Sequence, residues 1–252
     1  MTVPPASFYS FFQPLIDVLN SVMVWLHDTG GLGWGLAVVV TTVLVRIVIL
    51  PLTMKQMRSM RDLQTHMPEL KKIQEKYKND RERMQRETMA FYKDNKVNPF
   101  GSCLPLLLQM PFFFAMYGLL RGTSFQQDIE SSANPGWLFI DSLVENPTGA
   151  ETVVLIVLMI GSTVGSFLLT PTPSAGNQRY VFLVVFGGMF AFLVPSFPAG
   201  LSVYWITTSL WTVGQQLVLR RVIPPPPQAT PEEARVAKAP PPPPRKKKRR
   251  RR

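Results

Sequence analysis

Apolar residues run almost unbroken from position 32 to position 54, and the one charge inside that run is Arg46. A run of this length is enough to cross a bilayer, since a spanning helix needs about 20 residues. Four further apolar blocks, at 99–120, 152–170, 180–197 and 199–219, meet the same requirement. The second contains Pro105 and Pro111, and the last two are separated by the turn sequence "PSFPAG". Proline is tolerated in a membrane helix when neighbours satisfy the freed backbone carbonyls. The expected fold is therefore an all-α polytopic membrane protein with five transmembrane helices.

Basic residues orient those helices. Positions 1–45 and 122–178 hold no Lys or Arg, whereas 55–97 holds twelve and the stretch from Arg220 onward holds twelve more. Lys and Arg accumulate on the cytoplasmic side. The segment 55–97, the short "PTPSAGNQR" loop and the C-terminal tail are expected inside, with the N-terminus and 122–150 outside. The net charge of +11 is thus concentrated on one face of one membrane. The N-terminus lacks the basic region of a signal peptide and is expected to be retained. Cys103 is the sole cysteine, so no intramolecular disulfide forms.

The flanking segments divide the chain into 1–31, a core of 32–223 and a tail of 224–252. Phe11, Leu15, Leu19, Val22 and Leu26 repeat at helical spacing opposite Gln13, Asp17 and Asn20. This pattern predicts an amphipathic helix that starts near Pro14 and lies in the membrane interface or packs on the protein's own outer surface. Within 55–97, Met57, Met60, Leu63, Met67 and Leu70 form one stripe, and "KND" at 78–80 interrupts the pattern. Two antiparallel helices of about 15–20 residues joined at Asn79-Asp80 are expected. Their stripe suits either a solvated hairpin or a docking arm, because methionine adapts to varied partners. The tail alternates proline runs with a terminal block of eight basic residues and cannot build a core. Its charges fit RNA phosphates on one hand, and anionic lipid headgroups or plain solvation on the other.

Catalysis lacks its parts. No Asp, Glu or His lies inside the five blocks, and the two histidines, His27 and His66, lie outside them. No cofactor is expected. Polar side chains instead form stripes: Thr42, Arg46 and Thr53 on the first block, and Trp205, Thr208, Ser209, Thr212 and Gln216 on the fifth. The second block adds Gln109, the third Ser162, Thr163 and Ser166, and the fourth has no polar side chain from Val181 to Val194. The third also holds "GSTVG", whose small residues fit close helix packing. An arginine near the bilayer centre costs roughly 2.5–3.5 kcal/mol on insertion scales. Arg46 stands nine residues, roughly 13 Å, before Lys55, which is deep for snorkelling. A polar cavity open to cytoplasm and lipid, and closed to the outside, would hydrate it.

Three stretches carry a resemblance: "LVRIVILPLTMKQ", then "MPELKKIQEKYKNDRERMQRETMAFYKDNKVNPFGSCLPLLLQMPFFFAMY", and "GLSVYWITTSLWTVGQQ". From about Leu32 to Leu219 the chain resembles the YidC family of membrane protein insertases. The resemblance implies five helices around a hydrophilic groove, with Arg46 as the groove arginine and 55–97 as the cytoplasmic helical hairpin. It implies groove-lining and substrate-contacting roles for Thr42, Gln109, Tyr204 and Trp205, with Ser209 and Thr212 on the same helix. Asparagine is frequent in the family where this chain has Ser209. The chain is similar to the shorter, Gram-positive type, without a large outer domain. The implied partners are nascent membrane proteins, membrane lipids and the ribosome, with the Sec translocon left open. The implied place is the bacterial plasma membrane. A competing expectation is a transporter or anion-conducting channel with Arg46 as its selectivity charge; a third is a chaperone that assembles subunits without inserting them.

Overall fold

A computed structural model describes residues 6–95, 104–169 and 177–222. Among these residues the chain is helical: α1 (Ala6–Asp28), α2 (Trp34–Thr65), α3 (Met67–Lys76), α4 (Arg81–Asp94), α5 (Leu104–Arg121), α6 (Thr123–Glu130), α7 (Gly149–Leu169), α8 (Asn177–Leu193) and α9 (Ala199–Val222). Two stretches, Trp34–Met57 and Gly149–Leu169, are long and apolar enough to cross a membrane by length and composition. The helix α9 is as long, but its Ser, Thr and Gln residues lower its mean hydropathy. The tail and Cys103 lie outside the described residues.

The helix α9 is central. It packs along α7 on one side and α2 on the other, while α1 lies along α5. Val39 and Val43 line one cleft with Val203 and Ile206, and Thr53 meets Gln215 further along, so α2 and α9 run parallel. The buried face of α1 carries Ile16, Leu19 and Met23, against Trp34 and Val38 of α2 and Met116 and Leu119 of α5. That helix begins by Ala6, so Pro14 lies within it rather than at its start. Its opposite side leaves Phe11, Val18 and Trp25 exposed, because apolar residues occur on both faces.

The helix α2 also outruns expectation. It continues through Pro51 to Thr65, so the apolar span and the first arm of the hairpin are one rod. Pro51 removes a backbone donor, and the Thr53 hydroxyl donates to the Leu50 carbonyl nearby at 2.9 Å. The rod ends where Pro68 lacks the N–H needed to continue it, and α3 starts with that proline in its first turn. The hairpin therefore has a broken first arm, with α3 paired to α4. Its turn caps α4: the Asp80 carboxylate accepts from the Arg83 N–H at 3.0 Å. Replacing this cap, Asp80→Ala, should cost about 1 kcal/mol of local stability. Amide exchange along 83–86 should accelerate about fivefold by the same reckoning, and unchanged exchange would show that the cap is dispensable. Of the apolar stripe, Leu63 and Leu70 are buried and Met57 touches α9, so the stripe faces the protein along part of its length.

The end of the bundle remote from the hairpin is closed by the loop between α6 and α7. Ala199 N–H donates to Glu145 O and Gly200 N–H to Leu143 O, both at 2.8 Å, which satisfies donors that the start of α9 leaves unpaired. A Cβ at Gly200 would lie 2.8 Å from the Leu143 carbonyl oxygen, so glycine permits this approach. Arg121 bonds Asn146 Oδ1 at 2.9 Å and the Ser196 carbonyl at 3.3 Å. The "GSTVG" stretch does not make the close helix contact expected of it. A Cβ at Gly161 would meet open space, and at Gly165 only Val213 at 3.8 Å.

Candidate functional site

Side chains from three helices meet at Arg46. Its guanidinium donates from Nη2 to Gln109 Oε1, and the Gln109 amide donates to the Tyr204 hydroxyl. One amide thereby ties α2 to α5 and α5 to α9. Tyr204 is buried and Arg46 is partly buried. Among the described residues, ion pairs occur only in the hairpin, His66–Glu69 and Arg86–Glu82. The positive charge of Arg46 is thus held by a neutral amide. Hydrogen bonds between membrane helices contribute about 0.6–2 kcal/mol each, less than the insertion penalty of the arginine. The arrangement places a cation without neutralising it.

The surroundings of this chain differ along the bundle axis. Gln109, Phe113 and Tyr117 lie on one face of α5, at steps of four residues. Toward the α6–α7 loop, Phe113 makes edge-on ring contacts with Trp205 at 6.0 Å and Phe197 at 6.1 Å, and Tyr117 contacts Phe197 at 5.4 Å. Phe190 adds a further contact to Trp205 at 5.0 Å. Toward the basic hairpin the neighbours are polar. Gln215 Nε2 donates to Thr53 Oγ1 at 3.2 Å, and its Oε1 accepts from Trp211 Nε1 at 3.1 Å. Gln215 and Gln216 both approach the Met57 sulfur. Aromatic packing therefore stands on one side of Arg46 and amides on the other.

Of the site residues expected from the sequence, Arg46, Gln109 and Tyr204 are brought together. The remaining predicted site residues are not part of that chain. Thr42 is buried and its hydroxyl donates to Val38 O of its own helix at 2.7 Å. Thr212 likewise donates to Thr208 O at 2.9 Å, the local bonding that Ser and Thr favour within helices. Ser209 is buried. Trp205 turns to α7, where its Nε1 donates to Thr163 Oγ1 at 3.1 Å.

Sequence reasoning missed Gln215, Trp211 and Gln56. Gln215 is eleven residues, three turns, beyond Tyr204, and helical spacing alone puts it on the same face. Gln56 is buried with neither amide atom hydrogen-bonded. It was hidden by its place among charged residues, in a stretch read as hairpin rather than span.

Comparison with known proteins agrees with this frame. The sequence matches the family described as the 60Kd inner membrane protein over residues 25–226. The membrane protein insertase YidC of Streptomyces avermitilis is 37% identical, over 77% of this chain and 52% of its own length. Those of Syntrophobacter fumaroxidans and Wolinella succinogenes are 35% and 38% identical, over 83% and 85% of this chain and 37% and 38% of theirs. The chain thus spans about half or less of the relatives it matches. A crystal structure of an active YidC insertase, with its first transmembrane domain resolved, superposes with a TM-score of 0.62. It is 25% identical over 82% of this chain and 46% of that one. With the family match covering most of its length, this chain belongs to the 60Kd inner membrane protein family, the family of the YidC insertases.

Proposed function

We propose that the chain is a non-enzymatic membrane protein insertase that receives nascent hydrophobic segments from the cytoplasm and releases them into the lipid. The observation that carries this reading is an arginine with no carboxylate partner among the described residues, held by Gln109 between three helices. Five spans with the N-terminus outside and the C-terminus inside account for the distribution of Lys and Arg. In that topology the aromatic contacts around Phe113 close the outer end, and the amides of Gln56, Gln215 and Gln216 face the cytoplasmic end. A client's short polar flank enters beside Arg46, where polar groups serve backbone that hydrocarbon would leave unsatisfied. Arg46 attracts acidic flanks, and a membrane potential negative inside favours their outward passage by about 2.3 kcal/mol per charge per 100 mV. Release follows from the hydrophobicity of the client helix itself. The residues proposed to line the path are Arg46, Thr42, Gln109, Tyr204, Trp205, Ser209 and Thr212.

Purified protein reconstituted in liposomes, supplied with a short client in the absence of Sec components, should raise the protease-protected fraction of client severalfold. No gain over empty liposomes would overturn the reading. Anion flux without client insertion would favour a channel instead.

The partners proposed are nascent membrane proteins, the ribosome and lipids of the bacterial plasma membrane. Deleting 224–252 removes ten of the twelve basic charges that follow Leu219. Ribosome co-sedimentation should fall about tenfold at low salt, with the difference vanishing as salt rises, because phosphate contacts weaken steeply with ionic strength. Insertion of short clients should persist. If truncation leaves low-salt co-sedimentation unchanged, the tail meets anionic lipid, and the hairpin becomes the ribosome contact.

A further inference from the structure

Between α6 and α7 the chain makes a two-residue turn closed by paired bonds, Trp137 N–H to Ile140 O and Ile140 N–H to Trp137 O, both at 2.9 Å. Its central residues are Leu138 and Phe139. Leu138 has φ +56°, a conformation that bulky side chains avoid and that turns usually give to Gly or Asn. It is nevertheless 78% exposed, and Phe139 beside it is 42% exposed.

The turn is held from both sides. A Cβ at Gly136 would lie 2.1 Å from the Ile140 carbonyl oxygen, and one at Gly35 would lie 2.1 Å from Trp137 Cγ. Trp137 therefore rests on the first turn of α2, and the Leu-Phe tip points away on a fixed base.

Below the tip lies a cleft of about 450 Å³, walled by Val39 and Val43 of α2, Leu158 of α7, and Ile206 and Leu210 of α9. Thr207 Oγ1 donates to Val203 O at 2.8 Å, and Trp211 Nε1 to Gln215. The rest of the lining is apolar apart from the indole of Trp137. The helices α2 and α7, which wall the cleft, also carry exposed apolar residues: Leu44, Ile47 and Val48 on α2, and Val153, Val154 and Val157 on α7. These belong to the two helices long and apolar enough to cross a membrane.

We propose that Leu138 and Phe139 dip into the outer leaflet and that the cleft beneath them holds one acyl chain of an outer-leaflet lipid. The volume falls within the range of small-molecule pockets, and an exposed apolar tip on a rigid base is the form of an interfacial anchor. The proposal rests on the membrane-spanning reading and is independent of insertase activity.

The test is photolabelling of the full-length protein in liposomes of phosphatidylglycerol and phosphatidylethanolamine containing a trace of diazirine-acyl phosphatidylglycerol. Adducts should appear at 137–140 and at the cleft walls, severalfold above those at Val184 and Phe192, exposed residues of α8. Filling the cleft with Ile206→Trp or Leu210→Trp should abolish the wall adducts and spare those on α8. A nitroxide at Leu138→Cys in a Cys103→Ser background should be relaxed by oxygen rather than by a water-soluble nickel chelate. Wall adducts no stronger than those on α8 would mean bulk lipid alone and overturn the proposal, as would a nickel-accessible label. Absence of adducts on α8 as well would overturn the membrane reading itself, and the proposal with it.

Discussion

Arg46→Ala is expected to reduce insertion of clients with acidic outer flanks at least tenfold, while Arg46→Lys retains most activity. Two opposite unit charges 4 Å apart attract by about 4 kcal/mol at an effective dielectric constant near 20. About a third of that, roughly 1.4 kcal/mol, corresponds to a factor of ten. The guanidinium makes a single described bond from Nη2 to Gln109, a contact that a lysine ammonium is also equipped to make. No carboxylate among the described residues demands the bidentate fork that distinguishes arginine. Clients with neutral flanks should be affected least. The measurement is protease protection of matched acidic and neutral clients, at equal amounts of folded protein. Equal losses in the alanine and lysine variants would point to an arginine needed for packing rather than charge.

Gln109→Leu should have the second-largest effect, on stability as well as insertion. The Gln109 amide accepts from Arg46 and donates to Tyr204, so the change breaks two interhelical bonds and strands a charged donor and a buried hydroxyl. Stranding such groups costs about 1–3 kcal/mol each. Tyr204→Phe removes one hydroxyl only and should cost less, near 1 kcal/mol. Unfolding of the purified protein in mixed micelles gives the stability term. A double-mutant cycle between Arg46→Ala and Gln109→Ala should show coupling of about 0.5–2 kcal/mol. A coupling near zero would mean that the two side chains are neighbours without mutual support.

The helical class and the place of the hairpin turn were legible in the residues. A run of apolar side chains constrains what can cover it, and Asp80 beside a broken pattern marks a helix start by its own hydrogen-bonding habit. Arg46 and Gln109 were legible as polar residues within apolar blocks, whereas Tyr204 was implied only by the family resemblance. Their connectivity was not legible, because which amide reaches which hydroxyl depends on the relative register of α2, α5 and α9. The same dependence separated Thr42 and Thr212, which bond back to their own helices, from Gln215, which reaches across to Thr53. A helical stripe specifies direction within one helix and leaves the distance to the next one open. The extents of α1 and α2 were also decided by packing: Pro14 and the onset of charge at Lys55 look like boundaries locally, yet burial of Ile16, Leu19 and Met23 on one side, and the contact of α2 with α9 on the other, carry the helices through them. Local chemistry determined what each segment is able to do, and only the tertiary arrangement decided which of those abilities meet at one place, because that depends on distances between residues far apart in the chain.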